Sequence, residues 1–184
     1  AAYAVATAEA NAKMYRIVAC PTAGSCGILP AVLAAVSEEV NATMNDMTRA
    51  LFTAGAIGKV VAEQASIAGA VGGCQADCGT AAAMAAAAAV DLLGGTNAQM
   101  AYAFALALKN ILGLVCDPVG GLVEVPCVKR NAFHAVHALV AVEMVMNGVQ
   151  SAIPADEVIS AMADVGRRLP VELKETSRAG LAMT

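Results

Sequence analysis

CQADCGTAAAMAAAAAVDLLGG, residues 74–95, is the stretch whose reading decides the fold class. Eight of the ten residues from Ala81 to Val90 are alanine. Alanine has the highest helix propensity and lets neighbouring backbones approach closely, so the run reads as a helix from Cys74 to Leu93. Gly94-Gly95 supplies its C-terminal stop. The rest of the chain has the same character. Of 184 residues, 44 are alanine, 59% are hydrophobic and only 3% are aromatic. A β-sandwich would want β-branched and aromatic residues instead. The expected architecture is all-α: a single Ala-rich helical domain over residues 1–184.

Outward from this run, helices are predicted on both sides. Toward the N-terminus, Met47, Leu51, Ala54, Ile57, Gly58 and Val61 make the apolar stripe of a helix from about Asp46 to Gln64. Another helix starts near Pro30, since proline suits a first turn. Residues 2–18 read as a helix with no capping residue before it, the mark of a chain whose preceding part lies elsewhere. Toward the C-terminus, Thr96 and Gln99 resemble a capping box opening a helix to about Leu112. Cys127 to Met146 is helical again. Pro154 with Asp156-Glu157 opens the last helix, to about Arg168. Pro170 stops it, and a short polar tail remains. Three loops marked by Gly and Pro, at 19–27, 66–79 and 113–127, hold all six cysteines.

Charge and hydropathy exclude several functions. The formal net charge is −4, and the eleven Lys and Arg residues are scattered apart from Lys129-Arg130 and Arg167-Arg168. No basic face tracks a phosphate backbone, so no nucleic-acid partner is expected. The longest uncharged run, Ile17 to Ser37, contains Pro21, Thr22, Gly24, Ser25, Gly27 and Pro30. It would leave broken polar backbone facing lipid, so no membrane span is expected. Glu9 and Lys13 stand where the apolar core of a signal peptide would be. The expectation is a soluble cytoplasmic protein whose surplus of apolar residues covers a partner domain.

Six cysteines without a secretory signal argue against a disulfide framework. Reduced cysteines often serve as small core residues, and that reading stays open for each one alone. No C-x₂-C pair occurs, so zinc-ribbon and thioredoxin-like signatures are missing. The ferredoxin run is missing too. The cysteines are far apart in sequence and sit in special loops, so the fold would have to collect them. Three thiolates around a centre with one open position is a Lewis-acid arrangement.

CPTAGSCGILPAVL at 20–33, GGCQADCG at 72–79, GLVCDPVGGLVEVPCVKRNA at 113–132 and ETSRAGLAMT at 175–184 resemble the α chain of bacterial iron–sulfur-dependent L-serine dehydratases. The resemblance covers nearly the whole chain. It implies a four-iron four-sulfur cluster held by Cys74, Cys116 and Cys127, which are 42 and then 11 positions apart. Cys20, Cys26 and Cys78 fall outside that pattern and read as core or site-lining thiols. The implied reaction is β-elimination of water from L-serine, giving pyruvate and ammonia without pyridoxal phosphate. The uncoordinated iron would activate the serine hydroxyl. The resemblance also implies an upstream N-terminal part, a β chain or β domain, and a homo-oligomer. A related L-cysteine desulfidase or a threonine-acting lyase would share the cysteines. A helical zinc or structural-thiol module is the non-enzymatic alternative.

Other residues carry two readings each. The loop Thr22, Ala23, Gly24, Ser25 leads into a helix, so its N–H groups could hold a substrate carboxylate. Ser25 is a helix N-cap or, near iron, a hydrogen-bond donor or base. Lys129 and Arg130 follow Cys127 and suit a carboxylate, although either could be a solvated helix start. Asp77 and Glu124 flank the cysteine loops as turn acids, or as groups that orient a base or the substrate amine. His134 and His137 share a helix face and read as incidental, and the nine methionines as core filling.

Overall fold

Eight α-helices follow one another in the computed structural model, which describes residues 1–184. They are α1 (Ala2–Ala12), α2 (Ile28–Val40), α3 (Met44–Gln64), α4 (Gly69–Gly72), α5 (Thr80–Leu92), α6 (Asn97–Lys109), α7 (Cys127–Met146) and α8 (Ala155–Arg168). There is no β-strand beyond an isolated parallel bridge between Cys116 and Lys174. The all-α architecture expected from the alanine pattern is the one found.

The alanine run forms the axis. All 13 residues of α5 are buried, and α2, α3, α6 and α7 pack around it. With mostly methyl side chains on α5, four helices can close on it at once. α1 lies against α7 and α2, and α8 against α6 and α4. No helix is long and apolar enough to cross a membrane.

Helix ends follow from their caps. Thr96 and Gln99 form the expected capping box of α6. A second box starts α3: the Thr43 hydroxyl accepts the Asp46 N–H at 3.2 Å, and the Asp46 carboxylate accepts the Thr43 N–H at 3.0 Å. Each such cap stabilises a helix by about 1 kcal/mol, and this one draws the start of α3 ahead of the expected Asp46.

Three departures shape the site. α1 ends at Ala12 rather than near 18, because Met14 turns into the left-handed region at φ 61°. The chain then leads directly into the loop at Cys20. The expected helix from Cys74 begins instead with a π-helical turn, Gln75–Gly79, before α5 proper. Finally, the polar tail folds back onto the third cysteine loop. The Cys116 N–H donates to the Leu173 carbonyl at 2.9 Å, and the Glu175 N–H donates to the Cys116 carbonyl at 2.8 Å.

Candidate active site

The π turn carries the first pair of thiols. One extra residue per turn re-aims side chains relative to an α-helix, and here the Cys74 and Cys78 sulfurs and an Asp77 carboxylate oxygen all lie within 4.8 Å of one another. Gln75, fully buried, holds this turn in place. Its Nε2 donates to the carbonyls of Gly72 (2.9 Å) and Met162 (3.1 Å), and its Oε1 accepts the Gly113 N–H at 2.9 Å. Gly166 lets α8 close onto the same place, since a Cβ there would lie 3.0 Å from Gly72 Cα.

Cys116 and Cys127 come from two further segments. Cys116 is held by the tail through both of its backbone groups, and its sulfur would lie 3.1 Å from a Cβ on Gly69. The Glu175 carboxylate reaches the same point, 3.4 Å from that Cβ. Cys127 is the first residue of α7. All four thiols are buried and free. The three predicted ligands come from three separate segments and lie near enough for their charges to influence one another. The one close group of potential ligand atoms, however, is Cys74, Asp77 and Cys78, without Cys116 or Cys127.

Their acidities are linked. A hydrogen bond from Cys78 outweighs burial and holds the Cys74 thiol below its ordinary value, helped by the Arg130 charge. Cys78, the donor, is pushed up by that bond and by burial. Burial, then the charge of Cys74 and that of Glu175, raise Cys116. Burial and Cys74 push Cys127 up to about 11, with Arg130 opposing. Cys74 is therefore the easiest of the four thiols to deprotonate, and its neighbours give up protons more reluctantly.

The loop before α2 meets this group through Asp77. The Thr22 hydroxyl donates to the Asp77 carboxylate, and the fully buried Ser25 hydroxyl lies 3.0 Å from Thr22 Oγ1. Burial raises the Asp77 carboxyl, while Ser25 and Thr22 hold it back. Gly24 must be small, since a Cβ there would lie 3.0 Å from Asp77 Oδ2. The N–H groups of Thr22, Ala23 and Gly24 have no partner within the chain. Cys26 is buried under α1. Cys20 is half-buried, its thiol pushed up to about 12 by burial and then by Cys26.

Lys129 and Arg130 part company. Arg130 turns inward: it donates to the Val115 carbonyl at 3.1 Å and to Asp117 at 2.9 Å. Burial lowers its pKa, but the charges of Cys74 and Asp117 raise it by more. Lys129 is exposed and lines a surface hollow with Glu9, Lys13 and Glu124. Two residues along a helix turn a side chain by about 200°, so Lys129 faces away from Cys127 and the structure does not bring it to the thiols. Glu124 is exposed on the same hollow. His137 bonds the Ala107 carbonyl at the end of α6, and His134 is T-stacked on it at 6.4 Å. Neither histidine joins the thiols in a metal-ligating group.

Residues not singled out from the sequence frame the site. Asn131, fully buried, donates to the carbonyls of Gly24 (2.7 Å) and Cys127 (2.9 Å) and accepts the Gly27 N–H. It stands four residues after Cys127, the spacing that returns a side chain to that cysteine's turn, and this was the available signal. Asp117 holds Arg130 and accepts the Leu181 N–H at 2.9 Å. Nothing in local pattern marks Gln75 or Glu175.

Comparison with known proteins bears on this arrangement. The profile described as serine dehydratase alpha chain matches residues 1–182. The chain is 59% identical over 181 residues to the probable L-serine dehydratase alpha chain of Bacillus subtilis, covering 98% of this chain and 60% of that one. It is 55% identical to the corresponding probable alpha chain of Latilactobacillus sakei, spanning 87% of it. It is 48% identical to the L-serine dehydratase alpha chain of Peptoniphilus asaccharolyticus, spanning 62%. The chain thus spans about three fifths of the length of two of these three relatives. The chain belongs to the serine dehydratase alpha chain family.

Proposed function

We propose that this chain is the cluster-binding part of a cytoplasmic, iron–sulfur-dependent L-serine ammonia-lyase acting with a β chain or β domain. What supports this reading is that Cys74, Cys116 and Cys127, buried and free on three segments, lie near enough to influence one another's acidity, with Arg130 and Asp77 acting on the same thiols. The donor set fits: buried free thiols, one of them eased toward ionisation, are the soft ligands that iron–sulfur clusters take. A four-iron four-sulfur cluster held by these three cysteines supplies, when bound, a Lewis acid that makes the β-hydroxyl of serine a better leaving group.

The chain's own residues do the rest. The free N–H groups of Thr22, Ala23 and Gly24 receive the substrate carboxylate, and Glu175 offers its carboxylate to the α-ammonium. The α-proton passes to Ser25 Oγ as the Ser25 proton moves to Thr22 and the Thr22 proton to Asp77. Burial makes Asp77 a stronger base than an exposed carboxylate. The β-hydroxyl departs with the proton returned from Asp77 through Thr22 and Ser25, as water, which restores the carboxylate and leaves aminoacrylate. This tautomerises to an imine, and a second water hydrolyses it to pyruvate and ammonia. No pyridoxal phosphate is required.

Anaerobic reconstitution with iron and sulfide tests this reading. About four irons per chain are expected, as one such cluster holds, with a brown spectrum that L-serine perturbs. Cys→Ser at 74, 116 or 127 should abolish it, and Cys→Ser at 20, 26 or 78 should not. L-Cysteine and L-threonine run beside L-serine separate the related lyases. Colourless protein that takes up zinc instead would sink the lyase reading.

A further inference from the structure

The outer face of α7 carries a regular pattern that the site does not use. Lys129, Phe133, Val136, Val140, Glu143 and Asn147 recur at alternating spacings of four and three, the seam of an antiparallel or parallel helix pair. The five that belong to α7 project within one narrow sector of the helix, and Asn147 follows at its C-terminal cap. Phe133 is 75% exposed, Val136 46% and Val140 48%, and Met144 beside them 41%. Side chains this apolar on a seam spacing are shaped for another helix.

The charges indicate which helix. Lys129 and Glu143 are both exposed, and neither has an ion-pair partner within the chain. Each stands seven residues from Val136, about 10.5 Å along the axis in opposite directions. A two-fold axis at Val136 would set Lys129 of one copy against Glu143 of the other, twice. It would also bring Phe133, three residues before the axis, close to Val140, four residues after it. The exposed face of α3 (Met44, Leu51, Phe52) also has apolar residues, and its Arg49 and Glu63 have the same spacing, but both already have partners within the chain, Asp46 and Asp91 for Arg49 and Lys59 for Glu63.

We propose that α7 pairs with α7 of a second copy, antiparallel across a two-fold axis at Val136. The interface is isologous, and one charge reversal changes two ion pairs. A seam of this size falls short of the ~800 Å² per partner of standard interfaces, so the dimer is weak and concentration-dependent. The pairing rests on α7 alone and does not depend on the chemistry proposed above.

Sedimentation equilibrium on the reduced 184-residue chain tests it, with circular dichroism confirming that each variant folds. A reversible dimer is expected. Lys129→Glu or Glu143→Lys alone should weaken it by about tenfold at low salt, and the double reversal should restore it. Val136→Asp should abolish it. A chain that stays monomeric overturns the proposal and leaves this face to a different partner. A dimer indifferent to Val136→Asp overturns the face. A dimer lost in Val136→Asp but indifferent to the charge reversals, or not rescued by the double reversal, overturns the antiparallel register.

Discussion

Asn131 accepts the Gly27 N–H at 2.8 Å across 104 residues of sequence, and so ties the start of α2 to the first turn of α7. The same side chain donates to the Gly24 carbonyl and back to Cys127. The Thr22–Ser25 loop and a predicted cluster ligand are therefore positioned by one amide. Gly27 makes room for it and for α1, because a Cβ there would lie 3.0 Å from Asn131 Oδ1 and 2.4 Å from the Ala4 carbonyl oxygen.

Asn131→Ala should accordingly cost about 3 kcal/mol, since it leaves a buried N–H and buried carbonyls unpaired at about 1–3 kcal/mol each. Asn131→Asp keeps the acceptor for Gly27 but sets a buried carboxylate against the Gly24 and Cys127 carbonyls, so at neutral pH it should be at least as destabilising as Asn131→Ala. Urea unfolding of the three proteins gives the order. Equal stability of Asn131→Ala and the parent would show that the amide does not tie the two helices together.

Arg130→Met should act on stability and on thiol acidity together. Asp117 is 5% exposed, and losing its partner leaves a buried charge at a cost of about 3 kcal/mol. The Arg130 charge also helps to hold the Cys74 thiol down, so its pKa should rise in the variant. Thiolate absorbance against pH, measured in a background where the other cysteines are serine, reads this directly.

Metal uptake should strengthen with rising pH. Cys116 and Cys127 are raised by burial and neighbouring charge, so both enter a metal site by losing a proton. Glu175 contributes to both shifts, and Glu175→Gln should move the uptake curve to lower pH. Cobalt titrated under argon and followed by its thiolate charge-transfer band measures the curve. A shift to higher pH would mean that Glu175 assists the metal rather than opposing thiolate formation.

Acid should destabilise the fold through His134. Burial, with His137 and Arg130 adding to it, lowers the His134 pKa to about 4, against about 6.5 in an unfolded chain. The folded form binds fewer protons between these values. Stability is therefore complete above pH ~6.5 and falls as the pH drops toward ~4, by up to about 3 kcal/mol. His134→Gln should flatten this part of the stability profile.

Gly180→Ala should release the tail. Gly180 sits at φ 66°, and a Cβ there would lie 2.5 Å from Asp117 Oδ2, the atom that accepts the Leu181 N–H. Faster tryptic cleavage after Arg178 than in the parent is the expected readout.

Helices and their order were legible because alanine, proline, glycine and capping pairs act locally. The Thr96–Gln99 box was read from two residues three apart. The Thr43–Asp46 box has the same spacing but an aspartate in place of the usual Glu or Gln, and it went unread. The cysteine loops were legible as loops, and their residues as a family resemblance. Features depending on backbone groups far apart in sequence were not. The tail looked like a polar end, yet its carbonyl and N–H groups grip Cys116 across some sixty positions. The π turn was hidden too, because Gln75 sets it through partners in α4, α8 and the Gly113 turn. Lys129 and Arg130 looked equivalent although the helix start at Cys127 was expected, because that start sets them only about 100° apart and the Val115 and Asp117 partners that draw Arg130 inward lie in another segment.

The alanine axis bears on how the thiols can move. A methyl group has no rotamer, so α5 cannot absorb a disturbance by side-chain rearrangement as a leucine-rich core can. A change at the π turn must be resisted outright or passed along α5 as a rigid displacement. Cys74 and Cys78 are joined to the end of that rod without an intervening hinge. They are held with little give, and a centre bound there would meet a small reorganisation energy when its charge changes. The same stiffness makes α5 unforgiving of mutation. At Ala85 to Ala89 even one added carbon must push a neighbouring helix, and replacements that other cores tolerate should be lost here.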